Sequence, residues 1–202
     1  QAFLRFDYSG HGASSGEFAD GAIGDWTEDA VAAVTALTAG PVVLVGSSMG
    51  GWIALLIARA MPGKIAGLVT VAAAPDFTED LMWAGFSEVE RDAILTEGGI
   101  QIPSDYGAPY LITRRLIEDG RANLVLRPPL SLPFPVRMLQ GTADPEVPMV
   151  TALRLLDHAT GPDLRLMLVK DADHRFSTPS CLGLIGAAVA EVIAAAGGGA
   201  AA

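Results

Sequence analysis

Cysteine and positive charge are both scarce in this chain. Cys181 is the one cysteine, so no internal disulfide can staple the fold, and a reducing compartment is permitted. With no histidine near it in sequence, Cys181 reads as buried or incidental. Only three histidines occur, His11, His158 and His174. They are far apart and form no short ligand motif, so a metal site is not expected. Lys and Arg number 13 against 23 Asp and Glu, leaving a net charge of −10, and no basic cluster stands out. Nucleic acid is therefore not an expected partner. No secretory leader is expected. No strongly apolar run invites a bilayer. Gly183 to Ala202 carries only Glu191, but Ala and Gly are weakly apolar and Gly197-Gly198-Gly199 interrupts a helix. An amphipathic terminal helix with a frayed tail is expected there, not a stable membrane span. The acidic composition favours a soluble, cytoplasmic protein.

What the chain does have is apolar residues, at 50% of its 202 positions, enough for a sizeable core in one domain with an insertion. The most informative stretch is Pro41 to Trp52, PVVLVGSSMGGW. Pro41 to Val45 is a β-branched run without charge, read as a strand buried on both faces. Gly46-Ser47-Ser48-Met49-Gly50 follows and fits G-x-S-x-G. Trp52 to Ala60 is apolar and Ala-rich, as in a buried helix. Strand, glycine-flanked serine and helix together describe a nucleophile elbow, which lifts the Ser48 hydroxyl clear of the sheet. The pattern also occurs at Gly12-Ala13-Ser14-Ser15-Gly16, but a glycine-rich loop follows instead of a helix, so Ser14 is set aside.

In order, Phe3 to Phe6 reads as a strand and the loop after it runs to Gly24. Asp25 is a plausible N-cap, with Glu28 completing a capping box, for a helix that ends at Gly40-Pro41. The elbow strand and helix come next, then a strand at Ile65 to Val71. This βαβαβ order implies a parallel sheet with right-handed crossovers. Residues 76–130 read as a helical cap insertion, with helical pieces at Thr78 to Phe86, Glu88 to Leu95 and Tyr110 to Asp119 and no strong strand. Its aromatics Trp83, Phe86, Tyr106 and Tyr110 could line an acyl pocket or form the insertion's own small core. The βα rhythm returns with strands at Val136 to Gln140 and Leu164 to Val169. Residues 1–75 and 131–202 are thus expected to form one α/β core.

Ligands gather outside the carboxyl ends of parallel strands. Three such ends carry Ser48, Asp144 and His174, in the chain order serine, acid, histidine. A serine hydroxyl becomes a useful nucleophile when a base takes its proton, and imidazole can do so near neutrality. Asp144 would fix the imidazole tautomer, and the amide of Met49 would donate to the oxyanion. Asp171 and Asp173 lie too near His174 in sequence to reach its far side easily.

At this point the chain resembles the α/β-hydrolase superfamily. More narrowly it resembles the family of the mitochondrial palmitoyl-protein thioesterase and acyl-glucuronide esterase, with its bacterial relatives. FDYSG at Phe6 to Gly10 carries the resemblance, with Gly12 and Ser14 beyond it. VGSSMGGW at Val45 to Trp52, the G-x-x-D-x-x-V-P of Gly141 to Pro148, and Asp173-His174-Arg175 carry the rest. The family triad falls on Ser48, Asp144 and His174. The resemblance implies cleavage of acyl thioesters or carboxylic esters through an acyl-serine, without a cofactor; the acylated partner could be a small molecule or a protein. In that superfamily the second oxyanion amide comes from a His-Gly loop that would precede Gln1. The expectation is therefore a fragment lacking about three N-terminal strands. Two other readings share these residues: a non-catalytic hydrolase-fold module, and an acyltransferase using the same triad.

Overall fold

Four largely apolar runs supply the strands of the main sheet, and the glycine and proline breaks between them set where the helices start and stop. The computed structural model describes residues 2–103 and 109–198. In chain order the elements are α1 (Ile23–Leu37), β1 (Val42–Ser47), α2 (Met49–Ala60), β2 (Ile65–Val71), α3 (Glu88–Glu97), β3 (Gly99–Ile102), β4 (Tyr110–Thr113), α4 (Arg114–Ala122), β5 (Leu130–Ser131), β6 (Val136–Gly141), α5 (Met149–His158), β7 (Ala159–Thr160), β8 (Leu164–Val169) and α6 (Pro179–Gly198). A short 3-10 turn at Phe18–Asp20 and a π-helical stretch at Thr78–Trp83 lie between them. The chain divides into two compact units, Gln1–Leu37 with Asp76–Leu124 and Thr38–Pro75 with Val125–Ala202. Most of the segment expected as an insertion, 76–130, thus groups with the N-terminal residues.

The second unit is the α/β layer. Its main sheet has the order β1-β2-β6-β8, and every neighbouring pair is parallel. The register sets Ser47 beside Val71, Val71 beside Leu139, and Gly141 beside Val169. The carboxyl ends of β1, β6 and β8 therefore lie along one edge, where parallel sheets carry their sites. Helix α2 is buried without a break from Gly51 to Ala58, and Trp52 is fully enclosed. A second cluster joins Val69, Val71 and Leu139 of the sheet to Phe176 and to Cys181, Ala188 and Val192 of α6. Full burial of one such large side chain contributes roughly 1.5–3 kcal/mol. Cys181 is buried in this cluster, one of the two outcomes its sequence allowed.

The first unit is built around α1 and α4. Arg115 of α4 donates to Asp25 Oδ1 at 2.8 Å and to the Asp20 carbonyl. The Gly24 amide donates to Asp119 Oδ1 at 2.7 Å. The FDYSG motif makes a tight turn: Asp7 Oδ2 accepts from the Ala13 amide at 3.0 Å, and Ser14 Oγ donates to the Asp7 carbonyl at 2.7 Å. Gly12, at φ 53°, has no room for a side chain, because a Cβ would meet the Asp7 carboxyl carbon at 2.5 Å.

Several local expectations need correction. Phe3 to Phe6 forms no strand, because no described strand pairs with it and Phe3 is exposed. Among the described residues β1 has β2 as its one neighbour, and Val45 is 50% exposed, so the run expected to be buried on both faces is partly open in this chain. Helix α1 starts two residues before Asp25, whose Oδ2 reaches back to the Ala22 amide at 2.8 Å instead of capping from outside. The segment read as all-helical contains β3 and β4, paired antiparallel with Ile100 opposite Ile112. Tyr110 to Thr113 is strand, and Thr113 then caps α4 by accepting from the Leu116 amide at 3.0 Å. Helix α6 is long and apolar enough to cross a membrane by length and composition. It is not amphipathic: Leu182, Gly183, Gly186 and Ala187 are exposed while Cys181 and Ala188 pack on the sheet.

Candidate active site

Ser48 sits between β1 and α2 at φ 51°, ψ −123°, a region that side-chain-bearing residues rarely occupy and that costs about 1–3 kcal/mol. Its backbone is held on both sides. The Ser48 amide donates to Val71 O at 2.9 Å, and its carbonyl accepts from Gly51 N at 2.9 Å and Ala74 N at 3.1 Å. Small residues permit the turn. A Cβ on Gly46 would strike the Gly50 carbonyl oxygen and lie 2.6 Å from its carbon, and one on Gly51 would lie 2.6 Å from Ala73 Cβ. Gly51, outside the five-residue pattern, is thus as constrained as Gly46. Ser48 leads directly into Met49, the first residue of α2, whose amide has no carbonyl one turn back to bond.

His174 Nε2 lies 3.0 Å from Ser48 Oγ, and His174 Nδ1 lies 2.8 Å from Asp144 Oδ2. The Asp144 side chain is 0% exposed and that of His174 is 11% exposed. A carboxylate only accepts, so the imidazole proton belongs on Nδ1 and Nε2 is left to accept the serine proton. The three residues predicted from the sequence are thus brought together, each just beyond the carboxyl end of its strand. Asp171 and Asp173 are not at the imidazole in this role: Asp173 Oδ1 accepts from the Phe176 amide at 3.0 Å, and Asp171 is exposed.

The loops carrying the acid and the histidine are tied to each other. A Cβ on Gly141 would strike the Ala172 carbonyl oxygen and lie 2.7 Å from its carbon. Ala143 N donates to Ala172 O at 3.1 Å, and Asp171 N to Thr142 Oγ1 at 2.9 Å. Phe176, fully buried at φ 51°, pins the far side of the histidine loop in the core. Three neighbours of the site escaped the sequence reading. Gln140, fully buried, donates through Nε2 to Asp144 Oδ2 at 3.1 Å and to Val147 O at 3.1 Å. The amides of Glu146 and Val147 donate to Asp144 Oδ1 at 2.9 and 2.8 Å. The carboxylate of Glu146 reaches His174 Nε2 at 3.4 Å. The signal for the amide pair was present: a short acid before Pro145 invites a turn in which the carboxylate accepts from its own following amides.

The other singled-out residues lie in the first unit. The guanidinium groups of Arg91 and Arg121 lie over the Trp83 ring, 5.5 and 4.4 Å from its centroid. Tyr110 is 40% exposed with its ring 6.1 Å from that of Phe18. Phe86 is half-buried, its amide donating to Met82 O at 3.0 Å. Tyr106 lies outside the described residues. His11 sits among Tyr8, Phe18 and Trp26, while His158 in the second unit meets the Pro128 carbonyl at 2.9 Å. Among the described residues no group of three or more His, Cys, Asp or Glu side chains could hold a metal ion.

Three comparisons bear on this arrangement. A family model described as serine aminopeptidase, S33, matches residues 1–92, which include Ser48. The mitochondrial palmitoyl-protein thioesterase ABHD10 of Rattus norvegicus is 34% identical over 186 residues, 91% of this chain and 62% of that protein. The chain thus spans less than two thirds of the length of this curated relative. Among solved structures, an Agrobacterium vitis S4 protein classed as a hydrolase is 43% identical with a TM-score of 0.90, covering 94% of this chain and 75% of that one. The mouse α/β-hydrolase domain-containing protein 10 is 31% identical with a TM-score of 0.84, covering 94% and 76%.

Proposed function

Because the chain belongs to the α/β-hydrolase family, we propose that it is a serine esterase or thioesterase that cleaves acyl esters or acyl thioesters through an acyl-serine on Ser48. The observation that carries this reading is the continuous line from Ser48 Oγ through His174 to the enclosed carboxylate of Asp144, at 3.0 and 2.8 Å. The rat relative's name, a palmitoyl-protein thioesterase, supports a thioester among the substrates. Small-molecule acyl esters and acylated proteins are both proposed as substrates.

The chemistry runs as follows. His174 Nε2 takes the Ser48 proton while Oγ attacks the acyl carbon. Asp144 stabilises the resulting imidazolium without taking its proton. The carbonyl oxygen becomes an oxyanion facing the Met49 amide, and losing one such donor typically costs about 10² to 10³ in rate. The tetrahedral species collapses, the bond from acyl carbon to oxygen or sulfur breaks, and Nε2 returns its proton to the departing atom. Water then repeats the sequence on the acyl-serine and releases the acid.

Fluorophosphonate labelling with peptide mapping tests the proposal. The expected label lies on Ser48 and disappears in Ser48→Ala and His174→Ala. A folded parent chain that takes no label overturns the reading. A panel of acyl thioesters and oxyesters of matched acyl group then separates the two bond classes.

A further inference from the structure

We infer that Glu146 selects the leaving group by charge, so that this site favours esters and thioesters whose departing alcohol or thiol is neutral or cationic over those whose departing group is anionic. The inference rests on the hydrolase reading and narrows its substrate class. The departing atom must approach His174 Nε2 to within hydrogen-bond distance, about 3 Å, to receive its proton. Glu146 Oε2 stands 3.4 Å from that same nitrogen. Substituents on the leaving group therefore pass within a few ångströms of a carboxylate.

The carboxylate is held there by its backbone. The Glu146 amide donates to Asp144 Oδ1 at 2.9 Å, and the next residue, Val147, is buried and donates to the same oxygen at 2.8 Å. The acid that orients the imidazole thus also fixes the loop from which Glu146 projects. Its side chain is 40% exposed, so its charge is partly screened. At a partly exposed site, like charges about 5 Å apart repel by an amount equivalent to roughly tenfold in rate. The sign is opposite for a cation. Asp144 adds little to this discrimination, because the imidazolium formed in the reaction balances it.

The test compares meta-carboxyphenyl butyrate with meta-(trimethylammonio)phenyl butyrate on the parent, Glu146→Gln and Glu146→Lys. The quantity read is the ratio of kcat/KM for the cationic over the anionic ester. Intrinsic reactivity cancels when the same pair is used on each protein, and so does any general loss of activity. The ratio is expected to fall about a hundredfold in Glu146→Gln, about tenfold from each ester, and further in Glu146→Lys. In the parent it should shrink as salt rises from about 0.02 M to about 0.5 M. An unchanged ratio in two active variants overturns the role of Glu146 and leaves the hydrolase reading intact. A folded parent that hydrolyses neither ester and takes no fluorophosphonate label overturns both.

Discussion

Gln140 Nε2 donates to the same oxygen of Asp144, Oδ2, that faces His174 Nδ1, at 3.1 and 2.8 Å respectively. The same nitrogen also faces the Gly141 carbonyl at 3.2 Å and the Val147 carbonyl at 3.1 Å. Three acceptors converge on one side-chain amide, so the nitrogen must point toward them, and the buried Oε1 points away with no hydrogen-bond partner. Gln140 holds the acid in place. A hydrogen bond to a charged group contributes about 1.5–3 kcal/mol, so Gln140→Leu is expected to lower kcat/KM by about 10- to 100-fold. Gln140→Glu, nearly the same shape, should be worse, because it sets a carboxyl group against a carboxylate and two carbonyls. Steady-state kinetics alongside thermal unfolding checks the order; a Glu variant as active as the parent would remove Gln140 from this role.

The geometry brings Asp144, not Asp171, to His174 Nδ1, at 2.8 Å. Asp144→Asn replaces an acceptor by an amide that can donate to Nδ1 and stabilise the wrong tautomer. In a serine protease the equivalent change costs about 10⁴ in kcat with the geometry intact, and a loss of that order is expected here. Asp171→Asn should leave the rate within a few-fold. Asp171 is exposed at φ 60°, a conformation Asn accepts readily. Fluorophosphonate labelling rates on both variants decide the assignment, and equal losses would reopen the choice of acid.

Why these three residues were legible in the sequence, and their surroundings were not, has a physical basis. Ser48, Asp144 and His174 each follow a recognisable strand, and the parallel register carries their strand ends to one edge without further information. Gly46 announced its turn because only glycine tolerates the approach of the Gly50 carbonyl. Gln140 and Glu146 gave no signal, since nothing in a lone sequence says that a strand-end glutamine turns toward a carboxylate four residues on. β1 stands at the edge of the described sheet, a position its residues do not announce, because a β-branched run looks the same in an edge strand and a central one. The β3–β4 pair was missed because short runs such as GIQI and YLIT fit a helix as well as a strand. Their antiparallel partnership, which decides the matter, is not local.

Gly141 sits where the acid loop and the histidine loop nearly touch, and the atoms opposing it are backbone: the Ala172 carbonyl and, at 3.0 Å from an added Cβ, Asp173 O. Neither can swing away as a side chain would. Gly141→Ala must push the loop bearing His174 off its position relative to Asp144. Such overpacking typically costs about 1–3 kcal/mol, which at this chain length lowers Tm by about 2–4 °C per kcal/mol. The labelling rate should fall more than the stability does, because the displacement acts on the triad itself. Gly186→Ala in α6 is the contrasting case: nothing lies within 4 Å of its added Cβ, and a helical Gly→Ala change there should stabilise by about 0.5–1 kcal/mol. Calorimetry on the two variants should move in opposite directions.

Arg137 joins β6 to α6 and to the loop before β8. Its side chain is 7% exposed, and its Nη2 donates to Asp163 Oδ2 at 2.9 Å and to Glu191 Oε1 at 2.8 Å. The bond to Arg137 holds both carboxyls below their usual range, and the same bonds, that to Glu191 foremost, raise the guanidinium further and keep it charged throughout. A carboxyl whose folded value is depressed binds its proton more weakly in the folded state than in the unfolded one. Its stabilising contribution is therefore fully present above the ordinary carboxylate range, near pH 4, and is lost as pH falls through the lower folded values. Arg137→Leu removes the largest cause of the depression and leaves Arg165 as the weaker partner of both carboxyls. The variant should be less stable than the parent at about pH 7 and about pH 5, and the gap should narrow at about pH 3 as the parent loses what the variant never had. Urea unfolding at the three values measures this gap. A gap that stays constant with pH would assign the effect of Arg137 to packing of its buried stem, since packing does not titrate.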